Sequence, residues 1–185
     1  MDVTAIIEKF YANQDALRDL LIRHSTAVAQ RALRIARQHP ELDIDQDFLY
    51  EAAMLHDIGI YLTDAPGICC YGTAPYICHG VLGAQLMRAE GLPRHARVCE
   101  RHTGAGLTKR EVLLQGLPVP AQDYLPETLE EQLVCYADKF YSKSHPDREK
   151  TPEQALKSLL KFGPEGAARF RHWMELFCET GQEMP

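Results

Sequence analysis

Apolar positions recur at intervals of three and four along most of the chain instead of alternating. In STAVAQRALRIARQH, Val28, Ala32, Ile35 and Ala36 fall on one stripe, the spacing of a helix with one buried face. This pattern predicts helices over about residues 3–11, 15–38, 46–57, 76–90, 93–103 and 164–179. His24 marks a point where the second could break. Three more should begin near residues 109, 129 and 152. There, Thr108 with Glu111, Thr128 with Glu131, and Thr151 with Pro152 and Gln154 supply capping-box or proline-first signals. Gly59, Gly91, Gly104 and Gly163 mark the ends of four helices. No strand-like run stands out, so the expected fold class is all-α.

Two stretches depart from the helical period. Residues 60–75, IYLTDAPGICCYGTAP, combine Pro, Gly and aromatics in what reads as an ordered, functional loop, long enough to act as a lid. Residues 115–127 hold three prolines and read as an extended connector over the surface. With no internal repeat and no break in composition, residues 1–185 are expected to form a single domain.

Composition narrows the setting. A hydrophobic content of 45% with 25% charged residues suits a globular domain. The first fifteen residues mix charges into their apolar stretch, unlike a signal peptide. No run approaches the roughly 18 apolar residues of a membrane span, so the expectation is a cytoplasmic protein without membrane contact. A net charge of −6 argues against nucleic acid as the main partner, which calls for clustered Lys and Arg. The six cysteines form no CxxC pair and read as reduced thiols.

The histidines carry the chemistry. In EAAMLHDIGI an apolar helix terminates at His56 and Asp57. Imidazole nitrogen and carboxylate oxygen together suit a divalent ion. An isolated His-Asp pair is ordinarily a cap or a surface pair, and a lone histidine such as His24, His79 or His102 is ordinarily structural. The series His24, His56-Asp57, His79, His102, Asp138, however, places one potential ligand or pair on each of five successive predicted helices. Asp138, in EQLVCYADKFYSK, shares a helical face with Val134 and Tyr141, so its carboxylate is expected to be partly buried. Burying it unpaired costs several kcal/mol, which a bound cation offsets.

Through RHS (23–25), LHDIG (55–59), CHGVLGAQLM (78–87), ERHTGAG (100–106) and YADKF (136–140), the chain resembles the HD superfamily, in particular its HDIG branch. The likeness covers about residues 22–143, with helical extensions at either end. It implies a helical bundle with a metal site between core helices. His24, His56, Asp57 and Asp138 would bind one ion; His79 and His102 would bind a second, with Asp57 as the bridge. The ion would be divalent (Fe, Mn, Zn, Co, Ni or Mg), one or two in number. The ERHTGAGLT and YADKF segments are also similar to HD-type dinucleotide tetraphosphate hydrolases. Those proteins frequently carry Lys or Arg soon after the HD pair, whereas this chain reads HDIGIYLTD, so the 60–75 loop should shape a different pocket.

The function this resemblance implies is a metal-dependent phosphohydrolase acting on a small, nucleotide-like phosphoester through a metal-bound hydroxide. Its two cations, about 3.5–4 Å apart, would activate a water and neutralise phosphoryl oxygens. Asp57 and Lys109 are the expected catalytic residues, Lys109 as the phosphate contact after the GAGLT turn, ahead of Arg101, Arg110 and Lys139. A di-iron oxygenase with the same six ligands and a ligand-sensing HD module stay open. The expected partner is a small molecule, with no nucleic acid.

Overall fold

The computed structural model describes residues 1–145 and 148–178. Its elements are α1 (Val3–Tyr11), α2 (Asp15–Gln38), α3 (Gln46–Leu55), the short strands β1 (Thr63–Ala65), β2 (Cys70–Tyr71) and β3 (Ala74–Pro75), then α4 (His79–Ala89), α5 (Pro93–Arg101), α6 (Lys109–Leu114), α7 (Leu129–Asp138), α8 (Pro152–Leu160) and α9 (Pro164–Leu176). The fold is therefore helical, as the periodicity predicts. The final residues of the expected 164–179 helix reach beyond the described ones.

Helix starts follow local chemistry. Thr108 and Glu111 form a full capping box, as do Thr151 and Gln154 behind Pro152. Thr128 accepts from the Glu131 backbone N–H, but Glu131 does not complete a box. Its carboxylate instead accepts from the Glu127 N–H at 2.7 Å and from Arg97 Nε at 2.7 Å, tying α7 to α5.

The long helix α2 runs unbroken through His24. Leu17, Leu20, Leu21, His24, Ser25, Val28, Ala32 and Ile35 make one buried face along it, so His24 falls in register with the apolar stripe and gives the helix no reason to break. That face packs on α3 and α7, while α4 packs most extensively on α5. Glycine allows the closest approaches. A Cβ on Gly59 would stand 2.4 Å from the His79 carbonyl oxygen and 2.4 Å from the Gly83 nitrogen, and one on Gly80 would stand 2.6 Å from the Cys99 carbonyl oxygen. Helix α4 is thus seated against both the turn after α3 and the body of α5.

Residues 63–75 correct the expectation of no strand. β1 pairs antiparallel with β2 (Asp64 with Tyr71, Ala65 with Cys70) and parallel with β3 (Thr63 with Ala74, Asp64 with Pro75). Strands of two or three residues are too short to display alternation, so no pattern announces them. No helix among the described residues is long and apolar enough to cross a membrane.

Candidate metal centre

Helix α3 ends at Leu55, two residues earlier than its pattern suggests, and the chain then tightens. Ile58 N–H donates to the Leu55 carbonyl and Ile60 N–H to that of Asp57, both at 3.0 Å. His56 and Asp57 lie in this tight turn, both with no solvent exposure. His24 comes from the middle of α2, Asp138 from the last residue of α7, His79 from the first residue of α4 and His102 from the end of α5. All are buried.

The six side chains meet in two groups that share Asp57. In the first, His24 Nε2 lies 3.2 Å from Asp57 Oδ2 and 3.0 Å from Asp138 Oδ1, and His56 Nε2 lies 3.0 Å from Asp57 Oδ2 and 3.5 Å from Asp138 Oδ1. In the second, the other Asp57 oxygen, Oδ1, lies 3.4 Å from His79 Nε2 and 3.3 Å from His102 Nε2. Either group, His24–His56–Asp57–Asp138 or Asp57–His79–His102, could hold a metal ion. The carboxylate of Asp57 is placed with one oxygen toward each.

Hydrogen bonding orients the rings for that task. Nδ1 of His56, His79 and His102 each donates to a backbone carbonyl three residues earlier, that of Ala53 at 2.6 Å, Tyr76 at 2.7 Å and Cys99 at 2.7 Å. Such a bond fixes the tautomer with the proton on Nδ1 and leaves the Nε2 lone pair facing inward. His79 Nε2 and His102 Nε2 then face each other at 3.0 Å. Two neutral lone pairs at that distance repel unless a cation or a proton lies between them. His56 Nε2 and Asp57 Oδ1 are buried without a hydrogen bond among the described residues, and Asp57 Oδ2, also buried, is met by Lys143 Nζ. Oδ1, facing the His79 and His102 nitrogens, is costly to bury without a cation. The donor set therefore fits divalent ions on observations independent of any family.

The charges agree. Burial opposes ionisation of Asp57, yet the neighbouring His56 and Lys143 hold its carboxyl well below the usual range. Lys139 and the facing imidazoles do the same for Asp138 against its burial. Burial works against a charged His56, but Asp57 and Asp138 outweigh it and raise the imidazole to about 9. His79 moves the other way, to about 3, because it is buried and faces His102. His102 is also lowered, chiefly by burial.

Two lysines close the centre. Lys143 Nζ pairs with Asp57 Oδ2, and Lys139 Nζ lies 2.7 Å from Asp138 Oδ2. Tyr76 stacks on His79 with ring centroids 4.7 Å apart. A cavity of about 670 Å³ opens over Asp138, and Lys139, Lys143, Lys150 and Tyr76 are among the residues on its wall. Lys109 sits elsewhere, exposed on the first turn of α6, with its backbone N–H donating to Asp123. Arg101 is engaged by the Leu125 carbonyl and by Glu127. The cation beside the HD pair is Lys143, which sequence reasoning missed. The available signal was YADKFYSK, two lysines within five residues of a ligand carboxylate where a helix stops.

The HD domain family matches residues 21–142. A tRNA (cytidine(56)-2'-O)-methyltransferase of Picrophilus torridus is 38% identical over 125 residues, 67% of this chain and 32% of that protein. The protein of the same name from Thermoplasma volcanium is 33% identical over 169 residues, 90% of this chain and 44% of its own. An uncharacterized protein of Methanocaldococcus jannaschii is 37% identical over 121 residues, 64% of each chain. This chain thus spans a third to under half of the two methyltransferases it matches. No solved structure is a significant match.

Those names correct two expectations. Both relatives are called methyltransferases that act on tRNA, which overturns the reading of a phosphohydrolase for a small phosphoester, and with it the expectation of no nucleic-acid partner. The first expectation took its reaction from a family resemblance, and the candidate ligands themselves specify only a cation. The second inferred a partner from net charge, whereas the cavity itself is lined by lysines.

Proposed function

This chain belongs to the HD domain family, and we propose that it acts on tRNA as the HD unit of a 2′-O-methylating protein. The observation that carries this reading is the 33% identity to a tRNA 2′-O-methyltransferase over 90% of the chain. The lysine-lined cavity over Asp138 supports it, since Lys139, Lys143 and Lys150 supply the positive charge that RNA phosphates require. We read residues 1–185 as one unit, with α1, α8 and α9 added to the matched core.

His24, His56, Asp57 and Asp138 would hold one divalent ion, and Asp57, His79 and His102 a second. A bound ion would supply local positive charge that complements phosphate oxygens. The chain's own residues do the rest. The backbone carbonyls of Ala53, Tyr76 and Cys99 orient the imidazoles. Lys139 and Lys143 offset the two buried carboxylates and present ammonium groups to the cavity.

The test combines tRNA retention with methyl transfer. Unmodified tRNA transcript should bind the purified chain, with affinity falling as salt rises. Lys143→Ala should weaken that binding. A labelled methyl group from S-adenosylmethionine should appear on a ribose 2′-oxygen of the transcript. Binding without incorporation would confine the chain to holding RNA; failure to retain tRNA at low salt would sink the proposal.

A further inference from the structure

Beside the lysine-lined cavity lies a second, smaller one of about 230 Å³, whose exposed lining is mostly apolar. The two share Gly104, Leu159 and Phe162 on their walls. They are thus adjacent compartments, one cationic and one apolar, on either side of the same residues. The apolar compartment is bounded by the Thr103–Leu107 turn, the start of α9 and the end of α8.

Its walls are braced. Arg169 donates from Nε to the Ala105 carbonyl and from Nη2 to that of Gly106, both at 2.7 Å, which ties α9 to the turn. Glu111 accepts from the Thr108 backbone N–H at 2.7 Å and from its hydroxyl at 2.8 Å. Phe162 is 67% exposed, a large aromatic face left in solvent at the boundary of the two compartments. Thr103 and Gln115 are polar residues on the lining as well, while the Glu111 carboxylate is held by Thr108 and Arg169. An apolar slot with an aromatic face and a few hydrogen-bonding groups is what an unstacked base requires. A phosphate-compatible cavity next to it supplies the complementary charge.

The geometry points to a nucleotide subsite in which an unpaired base of RNA enters the apolar compartment against Phe162 while its phosphate faces Lys143 and Lys150. This rests on the tRNA reading and deepens it, by assigning to residues 103–107 and 159–166 the recognition of a single splayed base. Neither the metal-ligand clusters nor the capping residues account for an exposed Phe162.

The probes are cytidine 5′-monophosphate and ribose 5-phosphate, which differ by the base, titrated calorimetrically into the full chain. The nucleotide should bind about tenfold more tightly, the value of one base–aromatic stack. Phe162→Ala removes an exposed side chain and should leave the fold intact. Gly166→Leu fills the slot from α9, where a Cβ meets Ala105 Cβ at 3.8 Å and Arg169 Nη2 at 3.9 Å, both ordinary contacts. Each variant should reduce nucleotide affinity to that of ribose 5-phosphate and leave ribose 5-phosphate binding unchanged. Equal affinity of the two probes for the parent chain, or variants that bind the nucleotide as the parent does, would overturn the subsite. tRNA retention indifferent to both substitutions would sink the subsite and spare the tRNA reading. A base-dependent difference lost in both variants, without tRNA retention, would support the subsite and sink the tRNA reading.

Discussion

Gly59→Ala isolates the packing that seats His79. Gly59 has φ −86° and ψ −1°, a negative-φ conformation open to alanine, so the added Cβ and not the backbone angle is the main perturbation. The added Cβ would stand 2.4 Å from two backbone atoms of α4, the His79 oxygen and the Gly83 nitrogen. No rotamer relieves contacts with backbone, and restoring ordinary separation requires α4 to retreat by about 1 Å. Overpacking of this kind costs about 1–3 kcal/mol, and rigid neighbours place it near 3. For a chain of this size that lowers the melting temperature by roughly 6–12 °C. The same retreat carries His79 away from Asp57 and His102, and metal sites tolerate only about 0.2 Å. The second group should therefore lose affinity while the first, which draws nothing from α4, keeps it. Urea unfolding of chelator-treated protein reads the stability, and a metal titration reads the two sites. Gly67→Ala, whose Cβ would meet nothing within 4 Å, is the control and should stay within about 0.5 kcal/mol. A Gly59→Ala protein with the parent's urea midpoint, or one that loses both sites equally, would refute the reasoning.

Asp57→Ala should abolish metal retention in both groups, because its two oxygens face different ones, whereas His79→Ala should spare the first. Elemental analysis after gel filtration decides, and full metal content in Asp57→Ala would make the pair structural. Metal-free protein should be most stable near neutrality, with losses on both sides measured by thermal melts across pH. His79 has a folded value near 3, so it adds stability above the ordinary imidazole value of about 6.5 that is lost as pH falls toward 3, where the depressed Asp57 and Asp138 lose theirs as well. His56, raised to about 9, contributes stability present below about 6.5 and lost as pH rises through 9. A flat melting temperature from pH 4 to 9 would refute these signs.

The helices were legible because each one satisfies local and global demands together. The stripe through Val28, Ala32 and Ile35 is the face that α2 buries, and Thr108 and Thr151 sit at caps that their boxes complete. Legibility stopped where a residue's partner is remote in sequence. Glu131 has the spacing for a box with Thr128, but Arg97, 34 residues earlier, engages one of its oxygens. The three short strands pair over so few residues that no period exists to be read. The site divides in the same way. Six candidate ligands could be named because their order along the chain resembles a family. Lys143 could not, since it approaches Asp57 only through the turn after α7.

Net charge misled because it averages over groups that do not act together. Several acidic groups are paired within the fold. Glu127 faces Arg97 and Arg101, Glu131 faces Arg97, and Glu100 faces Arg88. Pairs of this kind cancel locally and leave little field at a distance. Lys139, Lys143 and Lys150 gather on one cavity wall with Asp138. Lys139 and Lys143 are paired with Asp138 and Asp57, which leaves Lys150 as the positive charge there outside those two pairs, and a cavity concentrates the field of the charges that line it. A chain of net negative charge can therefore carry a cavity whose local charge differs from that of the whole. Reaction class escapes the ligand set for a related reason. His24, His56, Asp57, His79, His102 and Asp138 could hold cations, while the walls that would select a substrate come from residues 65–68, 76, 104, 138, 139, 141–144, 150, 158, 159 and 162. Those segments belong to different elements of the fold, and no spacing within the sequence links them.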